Sequence, residues 1–252
     1  MLRFRATLAY DGSAYQGFQR QAEGIPTVQW AVECAICKIT KQDVTLLAAG
    51  RTDTGVHAVG QVITFDVEWR HDPAVLLRAL NAVLPDDIAL QDIQRQDGFH
   101  PRYDAVSRRY CYTVIHAPQR HPLWHKRAWY VHQPLNHNVM QQTAAAFVGQ
   151  HDFAAFGNPP QGSNTIRQVF ASSWRYEQQE QIQIYRYTVE ATAFLHHMVR
   201  RMVGIQVEVG RGALDFSQFM MIFQSADLAR NQFIAPPQGL VLEKVRYSDD
   251  NE

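Results

Sequence analysis

Two stretches of this chain alternate apolar and polar residues with a period of two, the spacing of a strand that buries one face. Leu2, Phe4, Ala6, Leu8 and Tyr10 fall on one side of the opening segment, with Arg3, Arg5 and Thr7 on the other. Ile63, Phe65, Val67 and Trp69 alternate in the same way with Thr64, Asp66 and Glu68. Between them the period changes. Ala31, Cys34, Ala35 and Ile39 recur at helical spacing over Val28–Thr40, behind Thr27 as N-cap. Asp11-Gly12 marks a turn, 44–48 a short apolar strand and 50–59 a loop. Asp72 and Pro73 start a second helix that stops before Pro85, and 88–93 form a further strand. The first hundred residues therefore read β-α-β-β-α-β.

The second half continues the mixture. Strands are expected at 108–116, 167–176, Ile182–Ala191 and from Leu240 to Tyr247, and helices at 138–148, 194–209 and 218–224, the last capped by Asp215 or Ser217. The fold class is α+β, in two halves of mixed make-up, 1–105 and 106–252.

Composition narrows the class of function. At 252 residues, 46% hydrophobic and 19% charged, the chain is globular rather than disordered. No apolar run approaches about 18 residues, so no membrane-spanning helix and no membrane partner are expected. The N-terminus lacks the apolar core of a signal peptide, and three cysteines suit a reducing compartment, so a cytoplasmic location is expected. Cys34 and Cys37 match C-x-x-C, but inside a helical pattern and without a second pair. They read as buried, unreactive cysteines, and no metal site is expected. Twenty-four basic residues balance 24 acidic ones, which alone disfavours a nucleic-acid partner. Yet only Lys38, Lys41, Lys126 and Lys244 are lysines. The rest are arginines, whose planar fork fits phosphate, and acid is concentrated locally at Asp86-Asp87 and in the tail Asp249-Asp250-Asn251-Glu252.

Three segments carry chemistry. Gly50-Arg51-Thr52-Asp53-Thr54-Gly55-Val56-His57-Ala58 joins two expected strands, a place where a rigid sheet positions functional groups. Arg51 near Asp53 would keep the carboxylate ionised, fit to act as nucleophile or base; the same pair would also simply pin a hairpin. Arg108-Arg109-Tyr110-Cys111-Tyr112 places a tyrosine beside arginines, suited to stacking on a base and holding phosphate, or to ordinary strand packing. Arg200, flanked by apolar residues in 194–204, either meets a carboxylate from elsewhere or snorkels to water. Motifs for phosphate loops, dinucleotides and serine hydrolases are absent, and no cofactor is expected.

GRTDTGVHA (50–58) resembles the catalytic motif of TruA-type tRNA pseudouridine synthases. LAYDGSAYQGFQRQ (8–21), HDFAAF (151–156), FLHHMVRRMVG (194–204) and APPQGLVLEKVRY (235–247) resemble the same family in the same order, over nearly the whole chain. Thr54 and Phe18 stand where the family often has Ala and Trp. The resemblance implies two α/β half-domains sharing a central, mostly antiparallel sheet with helices on one side, and a catalytic cleft between them. It implies Asp53 as nucleophile, Arg51 as its support, Tyr110 as the ring on the target uracil, Arg200 as the partner of Asp53 and Leu240 as a pocket wall. Arg20, Arg102, Arg108, Arg109 and His57 become candidate substrate contacts. The implied substrate is the anticodon arm of tRNA, at the uridines of positions 38–40, and the implied assembly is a homodimer.

The implied reaction breaks an N-glycosidic bond, turns the uracil and rejoins it through carbon, which requires no redox step, metal or cofactor. A general base must remove the proton at carbon 5, and Asp53 and Tyr110 are the candidates. A stem uridine must first be flipped out. Two other readings compete: a non-catalytic RNA-binding module on the same sheets, and a hydrolase of small nucleotides using Asp53 and His57.

Overall fold

The computed structural model describes residues 1–248; the acidic tail singled out above lies outside the described residues. Along the chain run β1 (Leu2–Tyr10), α1 (Val28–Thr40), β2 (Leu47–Ala48), β3 (His57–Val67), α2 (Pro73–Asn81), β4 (Ile88–Arg95), β5 (Ala105–His116), β6 (Trp129–Val131), α3 (His137–Ala146), β7 (Gly149–Asp152), β8 (Ile166–Gln179), β9 (Ile182–Ala191), α4 (Met198–Gly210), α5 (Phe216–Gln224) and β10 (Leu240–Tyr247). The chain is α+β, as expected, and packs as two compact units: residues 1–106 with 241–248, and residues 107–240.

In the first unit β1 lies between β3 and β4, antiparallel to both. The period of two in β1 appears directly as burial: Phe4, Ala6, Leu8 and Tyr10 are buried while Arg3, Arg5 and Thr7 are half-buried. Arg3 faces Asp66 across the β1–β3 ladder and holds it through Nε (2.9 Å) and Nη2 (2.7 Å). β3 begins at His57, where a loop to residue 59 was expected. The reason is a non-local partner: Val241 and Leu242 of β10 pair in parallel with His57 and Ala58. That pairing also places residues 241–248 with the first unit instead of the second half. Most residues of β3 are buried despite the alternating sequence, polar Gln61 and Thr64 included, the pattern of a strand covered on both faces. α1 is capped by Thr27, whose Oγ1 accepts from Trp30 N–H, and α2 by Asp72 with Pro73 at its first position. Asn81 at the end of α2 exchanges two 2.8 Å hydrogen bonds with the backbone of Leu90, fixing α2 to β4.

Cys34 is exposed and Cys37 half-buried on α1, so the expectation of a buried pair fails: α1 turns its apolar face inward through Val28, Val32, Ala35 and Ile36 instead. Partial burial raises the Cys34 thiol and the Asp43 carboxylate raises that of Cys37, which disfavours the reactive thiolate.

In the second unit β5 pairs antiparallel with β9 and parallel with β6, β9 with β8 and β8 with β7, both antiparallel. β8 and β9 form a hairpin in which Gln179 faces Ile182, with Glu180 at φ +51 in the turn. α4 starts only at Met198; Phe194 and Leu195 are irregular, and His196 and His197 form a turn that ends with His197 in the left-handed region at φ +62. From Met202 to Gly210 α4 is buried, and its Gln206 accepts from Trp174 Nε1 at 2.8 Å. Phe147, Phe153, Phe156, Phe219 and Phe223 pack ring against ring, mostly edge to face, at centroid distances of 5.2–6.1 Å. Two of them come from HDFAAF, which is thereby a core motif.

Candidate active site

Residues 49–56 carry Arg51 and Asp53 from β2 to β3, and the segment after β1 cradles them. Phe18 N–H donates to Thr52 O (3.0 Å), Gly55 N–H to Tyr15 O (3.4 Å), and Val56 N–H closes a turn on Asp53 O (3.1 Å). Both flanks of Asp53 are therefore bonded to the backbone of 15–18. Two glycines permit that approach. A Cβ at Gly12 would stand 2.0 Å from Val56 O; one at Gly17, where φ is +88, would stand 3.2 Å from Thr52 O and 3.6 Å from the Asp53 carbonyl carbon. Beneath the loop, Tyr10 Oη and Thr52 Oγ1 share a buried 2.7 Å hydrogen bond, and Gln61 Nε2 donates to Gly50 O at 2.9 Å. Burial pushes the Tyr10 phenol up to about 12, against the pull of its Thr52 and Gln61 bonds, so it stays protonated at neutral pH.

Asp53 is half-buried at the tip of this loop and Arg51 is exposed. His57 is buried at the start of β3, its Nδ1 3.1 Å from both Gly12 N and Asp11 Oδ1. One nitrogen cannot accept from the first and donate to the second. Asp11 Oδ1 already accepts from Ser13 N–H, so Nδ1 as acceptor satisfies the buried Gly12 donor as well. Arg20 is 3.0 Å from the buried carboxylate of Glu33 on α1, with its head still partly in water. Arg102 lies with its guanidinium 6.0 Å from the ring of exposed Tyr103.

In the second unit, β5 and α4 supply the rest. Tyr110 is nearly enclosed, its ring edge-on to Phe194 with centroids 5.1 Å apart. On the neighbouring strand position Arg109 grips Glu190 Oε2 through Nε (2.9 Å) and Nη2 (2.7 Å), while Ser107 Oγ donates to the other oxygen at 2.6 Å. Arg108 Nη1 donates to Thr192 O at 2.9 Å. Arg200, in the first turn of α4, is tied twice to Ala235: its Nε donates to Ala235 O (2.8 Å) and Ala235 N–H to its own carbonyl (3.0 Å). Tyr112 Oη donates to the next carbonyl, Pro236 O, at 2.7 Å. Burial raises the Tyr112 phenol far above its usual range, with the Arg200 charge opposing. The segment so fixed turns through Pro237–Gly239 into buried Leu240. Arg200 and Leu240 thus belong to one braced cluster.

Reading the sequence missed Tyr10, Thr52, Gly12, Gly17 and Tyr112, which position the loop and this cluster. Tyr10 and Tyr112 did carry a signal: each is a phenol on the apolar face of a strand, where its hydroxyl must find a partner.

In their chemistry these elements offer a half-buried carboxylate on a braced loop, an enclosed tyrosine ring and a braced arginine. The sequence profile of a family described as tRNA pseudouridine synthase matches residues 6–104 and 143–248. Relatives called tRNA pseudouridine synthase A occur in Neisseria gonorrhoeae (38% identical over 247 residues, 97% of this chain and 92% of the relative), Methylacidiphilum infernorum (39% over 254 residues, 99% and 97%) and Bartonella bacilliformis (39% over 252 residues, 98% and 100%). With a profile match over most of its length and relatives at this identity from end to end, the chain belongs to the tRNA pseudouridine synthase family.

Proposed function

We infer that this protein is an isomerase that converts uridine to pseudouridine in tRNA, and we propose Asp53 as its nucleophile. The family and its relatives carry the reaction. The observation that supports Asp53 is the bracing of both its flanks by the backbone of 15–18, which fixes a carboxylate at the point where the family motif has one. The reaction breaks N1–C1′, turns the base and forms C5–C1′; the C5 proton leaves to solvent and N1 takes one up, so the product is an isomer of the substrate and no oxidant or reductant is needed. Attack on the base, attack on the sugar and anionic assistance to base loss all require that carboxylate ionised and immobile.

The resemblance assigns the freed uracil to the Tyr110 ring, charge pairing to Arg200 and Arg51, and a wall to Leu240. The perpendicular packing of Tyr110 on Phe194 and the ties of Arg200 to Ala235 support those roles, since a base must be held by groups that do not move. Arg20, Arg102, Arg108, Arg109 and His57 are proposed as substrate contacts; the ion pairs of Arg20 and Arg109 set the direction of their forks. The anticodon arm at positions 38–40, a homodimer and a cytoplasmic location complete the proposal. For the last, the structure adds that no helix among the described residues is long and apolar enough to cross a membrane.

The test is tritium release from unmodified tRNA labelled at uridine C5. Wild-type protein releases tritium and Asp53→Asn does not, a loss beyond about a thousandfold for removal of a covalent nucleophile. Arg200→Ala abolishes turnover while tRNA still binds. Release by Asp53→Asn near the wild-type rate would remove the assignment, and turnover of free nucleosides without tRNA would favour a hydrolase.

A further inference from the structure

We propose that a cavity in the second unit, roofed by residues 117–128, is a separate RNA contact that takes an unpaired nucleotide of the tRNA, its base against aromatic rings and its phosphate against Arg120 and His121. The proposal rests on tRNA being the substrate and assigns a part of the molecule that the catalytic loop does not use.

The cavity has a volume of about 590 Å³ and is lined chiefly by Arg120, His121, Trp124, His125, Trp129 and Tyr130, within the usual range for a small-ligand site. Its frame is fixed. β6 pairs in parallel with β5, Val114 facing Trp129 and Ile115 facing Tyr130; buried Ile115 and Ala128 line the cavity and pack with Ile184 in one apolar cluster. The roof is closed on itself by Trp124 N–H to His121 O (3.0 Å) and Ala128 N–H to Trp124 O (3.0 Å). Tyr130 Oη is committed to Ala117 O at 2.9 Å. By contrast, His121 Nδ1 is buried and has no hydrogen-bond partner among the described residues, which leaves room for a polar ligand atom.

Charge identifies the ligand. Although the chain is neutral overall, no Asp or Glu occurs between Asp104 and Asp152, while Arg120, Lys126, Arg127 and six of the 11 histidines do. Indole and phenol rings among cations, with no carboxylate from that stretch, suit a base joined to a phosphate. A free mononucleotide shares this chemistry, and competition separates the two sources.

The experiment uses the full chain carrying Asp53→Asn and an unmodified tRNA transcript, so it does not depend on turnover. Arg120→Gln and Trp124→Ala should each weaken tRNA binding by about tenfold. Arg120→Gln should also reduce the slope of log Kd against log salt by about one, and Arg120→Lys should restore that slope, which loss of packing alone would not do. Ultraviolet crosslinking should label peptide 119–130. Arg120 is exposed, so its substitution leaves the melting temperature unchanged and keeps the test open if Trp124→Ala misfolds. Wild-type affinity and slope in Arg120→Gln, or displacement of the crosslink by millimolar AMP, would overturn the proposal. Absence of tritium release from the wild type would instead remove the isomerase reading and leave these binding results standing.

Discussion

Gly17 shapes the backbone around Asp53, the proposed nucleophile. At φ +88 it occupies the left-handed region, and its missing Cβ lets the peptide at Thr52 and Asp53 come close. Gly24 has nearly the same backbone, φ +85, but a Cβ there would meet nothing within 4 Å. The pair separates backbone strain from displacement of the loop. Both Gly→Ala changes should cost about 1 kcal/mol of stability, read as a shift in urea midpoint. Only Gly17→Ala should also lower kcat for tritium release, by at least about tenfold, since small misplacements of a reacting group are costly. Equal kcat in the two variants would show that the contact with Thr52 does not position Asp53. At this scale the sequence displayed the acid and hid its supports. Asp53 stands out because Gly, Arg, Thr and His crowd around it between two strands. Gly12 and Gly17 look like turn residues until the loop from 49 to 56 is laid over them, because the contact that demands them joins segments far apart in the chain.

Among elements, β1 was legible to the residue because its alternation is a local property. Its register on β3 is less so, and Arg3 opposite Asp66 helps to set it. The Arg3 guanidinium holds the Asp66 carboxyl below the usual carboxylate range, with partial desolvation opposing. A depressed folded-state pKa adds stability that is complete above the unfolded value, about 3.9, and is lost as pH falls through the lower folded value. Both partners are about a third exposed, so the contribution is modest: Asp66→Asn should cost about 0.5 kcal/mol at pH 7. In urea titrations the gap between wild type and Asp66→Asn should close as pH drops below about 4. A gap that persists undiminished at pH 2 would show that the variant acts through packing. Elements that the sequence did not show are those without a local signature. β6 and β7 have three and four residues, too few for a period to register. Residues 194–197 share the apolar spacing of α4, yet Leu195 is buried outside the helix and His197 breaks it at φ +62. His57 and Ala58 read as loop because their partner, β10, lies late in the sequence.

That late partner has a consequence for the folding of the whole chain. The first unit is discontinuous: β3 gains its parallel neighbour only from residues 241 onward. β10 also supplies buried Leu242, Val245 and Tyr247. Tyr247 packs edge-on to Phe99 at 4.8 Å, lies 4.3 Å beneath the Arg5 guanidinium and donates its hydroxyl to Pro101 O at 2.8 Å. The second unit, by contrast, is continuous in sequence and contains the β8–β9 hairpin, closed by the two-residue turn at Glu180 and Gln181. Closing a long loop costs more entropy than closing a hairpin, and the cost precedes any gain from the contacts. In refolding followed by pulsed hydrogen exchange, amides of β8 and β9 should therefore gain protection first, and those of His57, Ala58, Val241 and Leu242 last. Tyr247→Ala removes a buried ring and its hydroxyl bond and should destabilise the first unit by about 3 kcal/mol. It should delay protection at His57 and Ala58 while leaving the hairpin phase unchanged. Simultaneous protection of both sets would mean that the two units fold as one. A hairpin phase slowed by Tyr247→Ala would mean that the second unit waits on β10. Because β3 continues directly from the loop bearing Asp53, the order predicted here also makes that loop among the last parts of the molecule to be fixed.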